Sequence, residues 1–145
     1  MPIADCDISL SVMIPHPSLV NLYNCRLQAD VFVGPFVEIQ RGVVVGPRTR
    51  VQSHSFICEG VTVGSDVFIG HGVRFINDRY PRVHNPDWQL EVTVVEDYVS
   101  IGSGAVIMCG VKLGHDSIIG AGAVVLQDVP PGVTVIGNPA RELRG

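Results

Sequence analysis

The chain has 145 residues, 46% of them apolar, with a net charge of −4 and no basic tract. That length fits one domain, and the charge makes duplex nucleic acid and anionic membrane poor partners. No apolar run approaches the ~18 residues of a membrane span, and the opening MPIADCDISL lacks a basic segment ahead of an apolar core, so neither membrane insertion nor secretion is expected. Cys6, Cys25, Cys58 and Cys109 have no metal-like spacing, so reduced thiols in a cytoplasmic protein are expected.

Residues 1–26 read as an irregular cap, because Asn21 stands where the periodic pattern that follows would place an apolar residue. The open end of a stack of strands needs such protection. From Leu27 an aliphatic or aromatic residue recurs at every sixth position: Leu27, Val33, Ile39, Val45, Val51, Ile57, Val63, Ile69, Phe75. The run resumes at Val95, Ile101, Ile107, Leu113, Ile119 and Val125. A period of six is a multiple of the strand period and fits no helix, so it implies short strands joined by regular corners. The residue four after each anchor is mostly small or apolar, from Val31 and Val37 to Ala123 and Val129. Each hexad therefore points two side chains inward, and three hexads close a triangular coil of a parallel β-solenoid. Glycine often follows the anchor (Gly34, Gly46, Gly64, Gly70, Gly102, Gly114, Gly120), where its tolerance of φ > 0 suits a repeated bend.

Coils are thus expected over 27–75 and 95–129, in a single domain with a tail at 130–145. The segment 76–94 breaks the period, since the step from Phe75 to Val95 is three hexads plus two positions. It carries the only Trp, Trp88, and differs in composition from its surroundings, as expected of an active-site loop on a rigid scaffold. With three hexads per coil, residues one coil apart in sequence lie about one strand spacing from each other, roughly 4.8 Å. Glu59 and Asn77 obey that spacing, so a carboxylate and a carboxamide should project from one corner at the mouth of the loop, with Arg41 below them. Such a pair can orient an amine and accept its proton. His54, one residue before the inward Ser55, and His71, in the column of Ser53, are further base candidates.

These repeats resemble the hexapeptide-repeat acyltransferases, and the resemblance implies an all-β, left-handed parallel β-helix. The hand comes from the resemblance alone, because parallel crossovers are otherwise right-handed. Gly137-Asn138-Pro139-Ala140-Arg141 is similar to the family's C-terminal signature. The runs Gln52-Ser53-His54-Ser55-Phe56, Cys58-Glu59-Gly60-Val61 and Phe75-Ile76-Asn77-Asp78-Arg79-Tyr80-Pro81-Arg82 look like the nucleotide-amino-sugar N-acetyltransferases. Among these they are most similar to those acting on UDP-2-acetamido-3-amino-2,3-dideoxy-glucuronate in lipopolysaccharide O-antigen synthesis. That resemblance implies Asn77 near the sugar amine with Glu59 close by and Arg79 or Arg82 free to meet carboxylate or phosphate; beside it, His54 stays a further catalytic candidate, and Asp78 and His71 are expected around the substrate. Arginine suits carboxylate and phosphate because its fork binds two oxygens. It also implies acetyl-CoA as co-substrate, without a metal, along a groove between subunits of a homotrimer. Ser103, Ala121, Leu126 and Gln127 would line that groove, with Lys112 or Arg141 at the nucleotide phosphates.

Three other readings stay open. A zinc carbonic anhydrase of this fold needs three histidine ligands, and His115 is followed only by Asp116-Ser117-Ile118-Ile119-Gly120. An O-acetyltransferase needs a histidine base, and His84-Asn85-Pro86 only loosely matches a histidine–proline motif. A non-catalytic assembly module is the third.

Overall fold

A computed structural model describes residues 1–144. Apart from a single 3-10 turn at Pro17–Leu19, the regular elements of these residues are strands of two or three residues. They stack into three sheets of seven, six and seven strands, one for each face of a triangular prism. The first face runs from Ile3–Ala4 to Val124–Val125, the second from Asp7–Ile8 to Lys112–Leu113, and the third from Phe32–Val33 to Arg141–Glu142. Pairing is parallel throughout except at the last strand, which runs antiparallel to Thr134–Ile136. Among the described residues no helix is long and apolar enough to cross a membrane.

The hexad works as its spacing suggests. Every anchor from Leu27 to Val125 is buried, and so is the residue four positions later, the polar Thr49, Ser55 and Ser117 included, except after Phe75, where the loop begins and Arg79 is exposed. Thr49 and Ser55 remain inside because their hydroxyls donate to the carbonyls of Gly64 and Gly70, each at 2.8 Å.

Residues 1–26, expected as an irregular cap, build a further rung. Ile3 pairs with Leu22, Asp7 with Arg26 and Met13 with Phe32, each partner one position beyond three hexads. Going the other way, Leu22 pairs with Ile39 one position short of three hexads, because only five positions separate Leu22 from Leu27, and the anchor falls on the fully buried Leu22 and not on the exposed Asn21. At the other end the stack also runs on into the expected tail, through Val129 beside Leu113 and Thr134–Ile136 beside Ile118–Ile119.

Positive φ does not occur at the glycines that follow the anchors. It occurs two residues later, at Asp30, Phe36, Arg48, His54, Asp66, Tyr98 and Asp116 among others. The glycine after the anchor answers a different demand, the close approach of the next rung: a Cβ on Gly102 would lie 2.5 Å from the Ala121 nitrogen. Two separate constraints, one conformational and one steric, thus shape each corner.

The loop obeys a simple count. Partners on adjacent rungs are three hexads apart at Glu38↔Phe56 but five hexads plus two positions apart at Arg74↔Val106, so two hexads and two positions are inserted between them. The interval from Phe75 to Val95 is therefore one ordinary hexad plus that insertion, and the loop ends at residue 92, where strand Thr93–Val95 begins.

Candidate active site

Glu59, Asn77, Cys109 and Gln127 share one register position at the corner between the first and second faces, because Phe56, Arg74, Val106 and Val124 are paired in sequence across the rungs. The expected pair is brought together, with a twist in its contact. Asn77 donates from Nδ2 to the main-chain carbonyl of Glu59 at 2.9 Å, not to its carboxylate. That bond engages Nδ2 and leaves Oδ1 as the accepting side of the amide. The Glu59 carboxylate lies 3.9 Å from Nε of Arg41, and its main-chain N–H donates to Gln40 at 3.1 Å. One carboxylate and one carboxamide therefore stand at a single corner where the loop begins.

The loop is tied down at its base. Trp88 donates from its indole to the Asn77 carbonyl at 2.9 Å. Arg79 forms two bonds to Glu91, at 2.9 and 2.8 Å, and a third to the Cys109 carbonyl at 2.9 Å. The returning chain fits because two corners carry glycine: Leu90 Cδ1 comes within 2.9 Å of where a Cβ on Gly60 would be, and Glu91 Oε1 within 2.9 Å of one on Gly110. Asn77, Arg79, Tyr80, Arg82, Trp88 and Glu91 help to line a cavity of about 550 Å³ against the loop. That is the size of a small-molecule site.

Arg79 was expected to meet substrate anions; its guanidinium is instead engaged with Glu91. Arg82 keeps only a 3.3 Å bond to Asn85 and is the cation of the loop available to an anion. Asp78 is exposed at the loop's start and lines a shallower hollow with Arg82.

The Arg79 guanidinium holds the Glu91 carboxyl below its ordinary value of 4.5, chiefly through their hydrogen bonds. A depressed carboxyl pKa supports the tie above the ordinary value and loses it as pH falls through the lower, folded-state value. The fluorescence of Trp88, the only tryptophan, is accordingly expected to change in a transition centred below pH 4.5, and Glu91→Gln should abolish it. A transition that survives that substitution would disconnect the tie from the tryptophan.

The histidines stand elsewhere. His54 and His71 lie at the corner between the third and first faces, so within one chain neither joins Glu59 and Asn77. His54 occupies a positive-φ corner (φ 65) and packs on Phe36 with ring centroids 4.9 Å apart. His71 shares a hydrogen bond of 2.8 Å between Nδ1 and the Ser53 hydroxyl. Ser103 and Ala121 continue the His71 column, since Gly104 donates to the His71 carbonyl at 2.8 Å and Gly122 to that of Ser103 at 2.9 Å. Above His54, a Cβ on Gly72, Gly104 or Gly122 would meet nothing within 4 Å, so this corner is open to its surroundings.

The expected cofactor residues are thus divided among separate places. Ser103 and Ala121 stand on the open corner of His54 and His71, whereas Leu126 and Gln127 border a small cleft of about 140 Å³ with Arg141 at the C-terminal end. Arg141 donates to the Ala140 carbonyl at 2.8 Å. Lys112 lies on the second face, paired with Glu96 at 3.3 Å, and belongs to neither group. Glu91 and the Cys109 carbonyl have no counterpart in the sequence reading; the only signal for them was the length of the insertion, legible once the rungs are paired.

Residues 93–127 match the family of bacterial transferase hexapeptides (six repeats). A 2,3,4,5-tetrahydropyridine-2,6-dicarboxylate N-acetyltransferase of Staphylococcus aureus (strain MRSA252) is 39% identical over 83 residues, which are 57% of this chain and 32% of that protein. The chain spans less than half the length of the curated relatives it matches. A hexapeptide-repeat acetyltransferase of Vibrio cholerae O1 biovar eltor, crystallised with acetyl coenzyme A, superposes with a TM-score of 0.70 at 28% identity, over 98% of this chain and 71% of that one. A mutant perosamine N-acetyltransferase of Caulobacter crescentus, with CoA and GDP-perosamine bound, gives a TM-score of 0.71 at 22% identity over 99% of this chain and 57% of that one, a likeness of fold alone.

Proposed function

We propose, from the hexapeptide-repeat fold that this chain carries, that it is an acetyl-CoA-dependent N-acetyltransferase acting on the amino group of a nucleotide-linked sugar. The observation that carries the reading is Asn77, which lines the loop cavity and is bonded to Glu59 of the adjacent rung. An amine attacks only as the neutral base, so it needs an acceptor for one proton and a fixed orientation. Asn77 Oδ1 accepts a hydrogen bond from the amine, and the Glu59 carboxylate takes the proton released as the N–C bond forms. The thioester C–S bond then breaks, the departing sulfur takes up the proton held by Glu59, and CoA leaves as its thiol. Arg82 serves an anionic group of the acceptor, and Tyr80 and Trp88 offer flat surfaces to a sugar or base.

The acyl donor is assigned to the open corner along Ser103 and Ala121. Because that corner and the loop cavity lie at different corners of one prism, the reading requires a second copy to bring them together, in keeping with a homotrimer. The N-acetylating relative of Staphylococcus aureus and the acetyl-CoA-bound structure from Vibrio cholerae support an amine acceptor and this donor. A role in lipopolysaccharide synthesis in the cytoplasm is part of the same proposal.

A hydroxyl acceptor is the second reading, favoured by one contact. In the tautomer whose Nδ1–H donates to Ser53, His71 Nε2 is the basic nitrogen that takes a hydroxyl proton. Release of CoA thiol from acetyl-CoA should be measured with UDP- and GDP-linked amino sugars, with tetrahydropyridine dicarboxylate, and with serine and galactosides. Turnover confined to the nucleotide amino sugars is expected. Turnover with the hydroxyl acceptors alone would replace the proposal by the second reading, and turnover with the dicarboxylate alone would remove the sugar from it.

A further inference from the structure

We propose that Cys6 and Cys25 are a modification site, a dithiol that a disulfide oxidant such as oxidised glutathione converts into an intramolecular disulfide joining the first two rungs. Their sulfur atoms are 3.5 Å apart. Both residues immediately precede a paired position, since Asp7 is in register with Arg26, and the Asp7 amide donates to the Cys25 carbonyl at 3.0 Å. They therefore occupy equivalent places on adjacent parallel strands, about 4.8 Å apart, within the Cα range that a disulfide accepts. Bridging them requires rotation of two thiols, not movement of the backbone.

The two cysteines differ in access, which orders the chemistry. Cys25 is 3% exposed, and burial together with the hydrogen bond to Cys6 pushes its thiol up to about 12. Cys6 is half-buried on the terminal rung and meets the oxidant first. Its thiolate attacks one sulfur of oxidised glutathione, releases one glutathione as thiol and keeps the other in a mixed disulfide. Cys25 then loses its proton to solvent and attacks the Cys6 sulfur, the bond to glutathione breaks, and the second glutathione leaves. Two protein thiols are oxidised and one glutathione disulfide is reduced to two thiols. Proximity favours the second step despite the reluctance of Cys25 to ionise.

The remaining cysteines lack this arrangement. Among the described residues Cys58, buried with its thiol raised to about 12, has no thiol bonded to it, and Cys109 donates to the Glu91 carboxylate at 3.5 Å. The consequence of the link is local. The amides of Leu22 and Asn24, bonded to the carbonyls of Pro2 and Ala4, together with that of Asp7, hold the first rung against the second. A cross-link there suppresses fraying of the terminal rung, the least protected part of a linear stack.

The full chain, reduced and then treated with oxidised glutathione in mildly alkaline buffer, is the material for the test. The expected product is lighter by two hydrogens per chain and yields a cross-linked peptide containing Cys6 and Cys25. Hydrogen exchange over residues 2–9 should slow by about tenfold or more, and reduction should restore it. Cys6→Ser and Cys25→Ala should each abolish the product, while Cys109→Ser leaves it unchanged. Should Cys25→Ala fail to fold, Cys6→Ser alone carries the comparison. A glutathione adduct that persists on Cys6, a link between two chains, or thiols that stay reduced would overturn the proposal.

Discussion

Turnover of the Asn77→Ala variant is expected to fall by about tenfold or more, with the KM for acetyl-CoA little changed. The amide of Asn77 does two jobs: its nitrogen is anchored on the Glu59 carbonyl, and its oxygen is thereby presented to the acceptor. Alanine removes both. The loop should nonetheless stay in place, because Trp88 bonds to the main-chain carbonyl of Asn77 and Arg79 still bonds to Glu91. Unaltered Trp88 fluorescence alongside reduced turnover would separate loss of chemistry from collapse of the loop. Glu59→Ala should produce a loss of similar size through its carboxylate, and retention of full turnover by both variants would end the assignment of this corner.

Phe75→Ala should lower the unfolding free energy by about 3–5 kcal/mol, the second large effect. Phe75 is the largest of the fully buried side chains at 1% exposure, and it is the last anchor before the loop departs. Its strand is paired with Phe56–Ile57 on one side and Val106–Ile107 on the other, so the void opens between rungs that hold the Glu59–Asn77 corner. In a stack whose rungs touch only their neighbours, that loss is not shared with distant parts of the chain. Denaturant titration followed by far-ultraviolet circular dichroism measures it. A change under about 1 kcal/mol would mean that the surrounding valines and isoleucines close the void, contrary to the tight burial of this core.

The parts that were readable in advance share a physical origin. Anchors such as Ile57 and Ile107 repeat because a rung has only so many inward places, and each depends on residues a fixed number of positions away. The same regularity predicted the alignment of Asn77 with Glu59. It misled at Asn21, because the step from Leu22 to Leu27 is one residue short of a hexad and the buried place falls on Leu22, and it misassigned the glycines after the anchors, whose need is clearance from the next rung. Arg79 was open to several roles for a different reason: its partner Glu91 lies across an irregular loop, where no period relates one residue to another. His54 and Lys112 likewise have suitable chemistry, but each stands on another side of the prism.

The sequence by itself determined the parallel solenoid, the inward residues and the position of the interruption, since all three follow from short-range spacing repeated along the chain. Only the tertiary structure decided that Asn77 is fixed by a main-chain carbonyl, that Arg79 is committed to Glu91 and that Cys6 faces Cys25. Those outcomes depend on which side chains meet across rungs and across the inserted loop. Hydrogen bonds and ion pairs form only where angle and distance agree to fractions of an ångström, and a count of residues along a chain carries no such information.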